Sequence, residues 1–222
     1  MQPPRKLPPF LTQDETRRLF DAIRKSTGPT AKRDRALFLT AYRHGLRASE
    51  VGHIQRADVD LKNGRLSIHR LKGSLSGIYP MQPDEQKALK AYLATRTDTA
   101  PYIFLSKRGT PIDYTTLWRL IGTYGTKAAL PSHKLHFHIL RHSIATHLLD
   151  AGANLSFVKD WLGHSNIQNT TILCTAHHCH PRRPRPQTLC KSSCGVDFVN
   201  GRFLLDICLG PFGNSGLDSF FP

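Results

Sequence analysis

The first 173 residues of this 222-residue chain contain no cysteine; all five (Cys174, Cys179, Cys190, Cys194 and Cys208) follow. An odd number of thiols at one end excludes a disulfide framework for the main body and predicts an intracellular protein. Tyrosine is distributed the opposite way: all six (Tyr42, Tyr79, Tyr92, Tyr102, Tyr114 and Tyr124) precede residue 125. No apolar run approaches the ~20 residues needed to cross a bilayer as a helix, so no membrane partner is expected. The opening "MQPPRKLPPF" carries charge but no apolar stretch of the secretory kind. Acidic residues are scarce, 16 against 31 basic, for a net charge of +15. Up to Ile172 there are 26 basic and 13 acidic residues, so nearly all of the excess lies in that part. A field of this sign favours a polyanion, and nucleic acid is the usual one. A basic surface kept for solubility is the competing reading, which composition leaves open.

What is present is a regular, mostly helical pattern up to Ile172. A Pro-rich lead-in covers residues 1–10. "LTQDETRRLFDAIRKS" opens with a capping box, Thr12 and Glu15, and places Leu19, Phe20 and Ile23 on one face. "PTAKRDRALFLTAYRHG" reads as a second helix that stops at Gly45, and "RASEVGHI" as a short third. "DVDLKNGRLSIHRLKGSLSGIYPM" is the β region: Asn63-Gly64 marks a hairpin and a third strand follows the Lys72-Gly73 turn. Helices follow over "PDEQKALKAYLATR", with Pro83 in the first turn, and over "DYTTLWRLIGTYGTKAAL", where glycines predict fraying. "YIFLS", between them, reads as extended. "FHILRHSIATHLLDAG" ends at Gly152, "NLSFVKDWLGH" is capped by Asn154, and "NIQNTTI" would begin one more helix. Beyond Ile172 the period fails, and "HHCHPRRPRPQ" cannot be helical. The expected domains are a lead-in (1–10), one folded domain (11–172) and an aberrant tail (173–222). The fold class is α+β, mostly helical, with a small three-stranded antiparallel sheet.

Three motifs carry chemistry. "HGLRASE" sets Arg47 at a helix start. "FHILRHSIATH" sets His138 and Arg141 one helical turn apart, hence on one face. "WLGHSNIQNTT" sets His164 after a glycine at a helix end. Between the first two, "HRLKGS" sets Lys72 at a hairpin tip. Two arginines can hold both non-bridging oxygens of a phosphate and neutralise a five-coordinate transition state. The planar guanidinium suits this better than an ammonium. A lysine on a turn can deliver a proton to a leaving alkoxide, and histidines can bond the phosphate or relay protons. No carboxylate cluster offers a magnesium site, so no metal or other cofactor is expected. Such chemistry needs a side-chain nucleophile.

Blander roles compete for each residue. Singly, Arg47 and Arg141 would be surface ion-pair partners, Lys72 a solvated turn residue and His164 a helix cap. His138 and His142 are four apart, as zinc ligands can be, but no third ligand accompanies them. His142 reads as a packed histidine, Glu50 as the partner that orients Arg47, and Trp161, Leu148 and Leu149 as core. The Cys/His residues of the tail match no zinc-module spacing.

"GLRASE", "HILRHSIATHLL" and "LGHSNIQNTT" resemble, in order and spacing, the boxes of the tyrosine recombinases, the phage integrase family. The resemblance covers about residues 10–172 and implies the DNA breaking–rejoining fold. It implies that Arg47, Lys72, His138, Arg141 and His164 bind and activate a scissile DNA phosphate. It further implies double-stranded recombination sites as the partner, a homo-tetramer on DNA, DNA-bending accessory proteins, and a cytoplasmic, nucleoid-associated location. Family members cut through a tyrosine, leaving a 3′-phosphotyrosyl link and a free 5′-hydroxyl. Most also carry a helical core-binding domain ahead of the catalytic one. The chain is similar to compact members such as those that invert fimbrial promoter switches; a truncated integrase is the alternative.

The family's tyrosine stands nine residues after the histidine of the "LGH" box, which here is Leu173. Leucine has no nucleophilic atom. One codon set for Leu173–His178 is CTA TGC ACA GCT CAC CAC; without its first C it reads Tyr-Ala-Gln-Leu-Thr. The codons are chosen among synonyms, so they establish compatibility with a frameshift at codon 173. That shift would account for the confined cysteines, the lost period and the apolar end. The expectation is a recombinase crippled at its nucleophile. A non-cleaving DNA-binding regulator and an inactive pseudogene product are the alternatives.

Overall fold

The computed structural model describes residues 8–70 and 75–163. Lys72, His164, Leu173, the expected "NIQNTTI" helix and the whole tail therefore lie outside the described residues. Seven α-helices are described, α1 (Gln13–Arg24), α2 (Ala31–Arg43), α3 (Ala48–Val51), α4 (Pro83–Leu93), α5 (Tyr114–Lys127), α6 (Ile139–Asp150) and α7 (Leu155–Leu162). One antiparallel sheet of three strands, β1 (Val59–Asp60), β2 (Arg65–Ile68) and β3 (Gly77–Pro80), in that spatial order, accompanies them. The α+β, mostly helical expectation holds.

α2 is the axis of the fold. Ten of its thirteen residues are buried, and it packs against α1, α4 and α6. A helix covered on nearly all sides has to settle its charged residues internally. Arg33 pairs with Asp34 at 2.6 Å and donates to the Leu105 carbonyl, and Asp34 also accepts from the Tyr124 hydroxyl at 2.8 Å. Arg43 pairs with Asp84 at the start of α4 at 2.6 Å. Leu37, Phe38, Ala41 and Tyr42 fill the centre with Leu19 and Ile23 of α1, Ile144 and Leu148 of α6 and Val158 and Leu162 of α7.

Local sequence accounts for most element ends. Thr12 and Glu15 form the expected capping box of α1, with bonds of 3.2 and 2.8 Å. Gly45 takes φ +55° just beyond α2, and Gly163 takes φ +66° after α7, both left-handed values that glycine adopts without a Cβ penalty. Asp113 caps α5 and Asn154 caps α7.

Three local expectations differ from the structure. The first hairpin has four loop residues, because Asp60 pairs with Arg65. Its organiser is the Asp60 carboxylate, which accepts from the amides of Lys62 and Asn63 and from the Asn63 side chain. α5 is continuous through both glycines, since its buried face, with Leu117, Ile121 and Tyr124, outweighs their low helix propensity. "YIFLS" forms isolated bridges, Gln55 to Tyr102 and Leu105 to Pro111, and no strand.

Candidate active site

The site is built on three chain reversals that meet. The first is the turn between α2 and α3. Arg47 is the N-cap of α3, and Glu50, three residues on, receives both the Arg47 amide at 2.8 Å and the Arg47 guanidinium at 2.6 Å. The carboxylate is almost wholly buried while the Arg47 side chain keeps about a fifth of its surface in solvent. Glu50 thus orients Arg47, as expected. Burial alone would raise the Glu50 pKa; the Arg47 amide, the Arg70 charge and the Arg47 guanidinium outweigh it and hold the group below its ordinary value.

The second is the start of α6. His138 is its N-cap and Arg141 lies one turn later, buried. One terminal nitrogen of Arg141 donates to the Gly45 carbonyl and the other to the Leu162 carbonyl at 2.9 Å. Each terminal nitrogen carries a second hydrogen, so the plane of the fork is set by the protein while donors remain for an anion. Loss of hydration, together with the Arg47 and Arg70 charges, pulls the Arg141 pKa down to about 9. Burying cations near one another raises the energy of the empty site, and an anion relieves it.

His138 keeps an exposed edge. Loss of hydration on its covered side, followed by His142, Arg141 and Arg47, brings its pKa down to about 4, so the ring is neutral at pH 7. A neutral imidazole can donate one hydrogen bond and accept another, which a relay requires. His142 meets the His138 ring edge-on at 5.7 Å between centroids and bonds the Pro9 carbonyl at 3.3 Å. It is a packed histidine that supports His138, and no group of three metal-ligating residues forms among the described residues.

The third is the end of α7, where Trp161 and Leu162 present their carbonyls to the buried arginines and Gly163 precedes His164. Gly45 is needed here for space: a Cβ would lie 2.5 Å from Leu162 Cδ2 and 3.3 Å from Ile144 Cγ2. Of the expected site residues, the structure brings together Arg47, His138 and Arg141. Lys72 and His164 flank described segments that end beside them, at Arg70 and Gly163.

Sequence reasoning missed Arg70. It donates to Glu50 at 2.9 Å, to the His44 carbonyl at 2.9 Å and to the Trp161 carbonyl at 3.0 Å, and it lies over the Tyr79 ring at 5.6 Å. A signal existed: Leu66 and Ile68 face inward, and the period of two carries the same face to residue 70. His44 was also missed; it is buried, bonded to Glu85 at 3.0 Å and stacked on Trp161.

With this geometry in place, comparison with known proteins decides the family. A model described as the phage integrase family matches residues 9–177. The chain belongs to that family. It is 35% identical over 172 residues to tyrosine recombinase XerA of Thermococcus onnurineus, covering 76% of this chain and 58% of the relative. It is 38% identical over 165 residues to the type 1 fimbriae regulatory protein FimB of Escherichia coli K12, covering 72% of this chain and 81% of the relative. The crystal structure of XerA recombinase superposes with a TM-score of 0.67 at 30% identity, covering 77% of this chain and 61% of that one. The chain thus spans less than two thirds of XerA and about four fifths of FimB.

Proposed function

We propose that this chain binds double-stranded DNA at recombination sites through the catalytic domain of a site-specific tyrosine recombinase, residues 11–172, and that the tail from 173 does not complete it. One observation carries the reading: Arg141 donates to the Gly45 carbonyl, two residues before Arg47, so the two guanidiniums stand on segments that meet, and each is held by a fixed internal acceptor. Two guanidiniums in such a setting suit the non-bridging oxygens of one phosphodiester. The neutral His138 supplies a hydrogen bond at the same phosphate. By the family resemblance, Lys72 protonates the leaving 5′-oxygen and His164 binds the phosphate. A tyrosine at position 173 would attack the phosphorus and form the 3′-phosphotyrosyl link; Leu173 has no atom for that step. Binding without cleavage follows, and a shifted reading frame at codon 173 explains it. Assembly as a tetramer and accessory DNA-bending proteins belong to the same proposal.

The first test is a gel shift of duplex DNA at several salt concentrations. Affinity should fall steeply with salt, linearly on logarithmic axes, and no covalent adduct should form. No shift at low salt would sink the binding half. Sequencing the gene across codons 165–185 in all three frames tests the tail. A tyrosine at 173 in the next frame supports the shift; its absence from every frame favours a non-cleaving DNA-binding regulator. Leu173→Tyr should give weak adduct formation at best, because the residues after 173 remain unsuited to a helix.

A further inference from the structure

Arg70 is a charged side chain with no solvent-exposed surface, and neither the motifs nor the phosphate chemistry above assigns it a role. Burying a guanidinium is costly, and apolar residues of similar volume commonly serve stability as well or better. Its bonds show what a leucine or methionine could not do. One terminal nitrogen reaches Glu50, the carboxylate that grips Arg47. The other reaches the His44 carbonyl just past α2 and the Trp161 carbonyl in the last turn of α7. Helix C-termini leave carbonyls without intrahelical partners, and a cation there is favourable. The Arg70 amide donates to Ser76 Oγ at 3.0 Å, joining the described chain before residue 71 to that after residue 74. Room for the side chain depends on Gly163, where a Cβ would lie 3.2 Å from Arg70 Cγ and Nε and 2.8 Å from the Leu75 carbonyl.

We propose that Arg70 is a positioning residue for the phosphate pocket: through Glu50 and the His44 and Trp161 carbonyls it sets Arg47 and the chain segments leading to Lys72 and His164. This rests on the phosphate reading above. Arg70 touches no ligand. Arg47 and Arg141 must keep one relative placement to share a phosphate: Arg70 ties the α2–α3 turn to the end of α7 through Glu50 and the His44 and Trp161 carbonyls, and Arg141 donates to the adjacent Gly45 and Leu162 carbonyls of the same two segments. Lysine keeps the charge but lacks the fork, so it cannot reach the carboxylate and two carbonyls together.

The test uses the full chain and inorganic phosphate. Thermal unfolding is followed across a phosphate series and in sodium chloride at matched ionic strength, and the phosphate-specific rise in Tm yields the affinity. The variants are Arg70→Lys and Arg70→Gln, with Arg47→Ala as the direct-contact control. Arg70→Gln should weaken phosphate binding by roughly tenfold or more, Arg70→Lys by less. In both, amide exchange should rise together at Arg47–Val51 and Trp161–Gly163 while the α1 and α5 amides stay protected. A folded Arg70 variant with unaltered phosphate affinity overturns the proposal. So does exchange that rises evenly through the core with affinity intact, since that marks a structural role alone. Should Arg70→Gln lose its cooperative melt, Arg70→Lys decides by the same criteria. If the unaltered chain shows no phosphate-specific shift, the phosphate reading itself fails and the role of Arg70 falls with it. That outcome is distinct because it appears before any variant is made.

Discussion

Glu50 sits between two arginines and is nearly inaccessible to water. Glu50→Gln leaves Arg70 buried with its partner charge removed, and breaking a buried pair in this way costs about 3–5 kcal/mol. Urea unfolding should show a lower midpoint with an unchanged slope. His138 makes the second residue-scale prediction. Its folded pKa of about 4 lies below the ordinary 6.5, so the folded chain resists the proton that the unfolded chain takes up. Stability is therefore full above pH 6.5 and declines as pH falls toward 4. His136 and His142 are shifted in the same direction. His138→Gln should make the fall in Tm between pH 6.5 and 4 shallower; an unchanged slope would assign the effect to the other two histidines.

At the scale of elements, α5 offers a clean contrast between its glycines. A Cβ at Gly122 meets nothing within 4 Å, whereas one at Gly125 lies 2.3 Å from Leu135 Cδ2. Gly122→Ala should stabilise the fold by about 0.5–1 kcal/mol through helix propensity, and Gly125→Ala should lower Tm. Two melting curves settle the pair. The N-terminal strap is the other element-scale feature. Leu11, fully buried, donates its amide to Ser143 Oγ at 2.8 Å and accepts from His147 at 2.8 Å, while Pro9 receives His142. All three partners lie on α6, the helix of Arg141. Ser143→Ala leaves the Leu11 amide without that partner and should cost about 1–3 kcal/mol. If the strap supports α6 as drawn, amide exchange in the first turn of α6 should rise as well.

At the scale of the whole molecule, charge and topology act together. A net charge of +15, carried mostly before residue 173, supplies long-range attraction to a polyanion, and the fold gathers Arg47, Arg70 and Arg141 around the α2–α3 turn. Arg47→Ala should weaken duplex binding and reduce the salt slope by about one phosphate contact. Among the described residues no helix is long and apolar enough to cross a membrane.

Helix identity and order were determined by the sequence itself, because caps, left-handed glycines and apolar periods are local signals that each act within a few residues. So were Arg47, His138 and Arg141 as candidates, since their boxes are contiguous. The tertiary structure alone decided that Arg70 joins Glu50 to the ends of α2 and α7, and that Pro9 and Leu11 lie along α6. These contacts join residues 20 to 136 positions apart, and no local pattern encodes which distant carbonyl a buried guanidinium or histidine will meet. The continuity of α5 has the same origin. Its glycines argue for fraying one residue at a time, and packing of Leu117, Ile121 and Tyr124 into a shared core overrides them, because burial sums over the helix while propensity acts residue by residue.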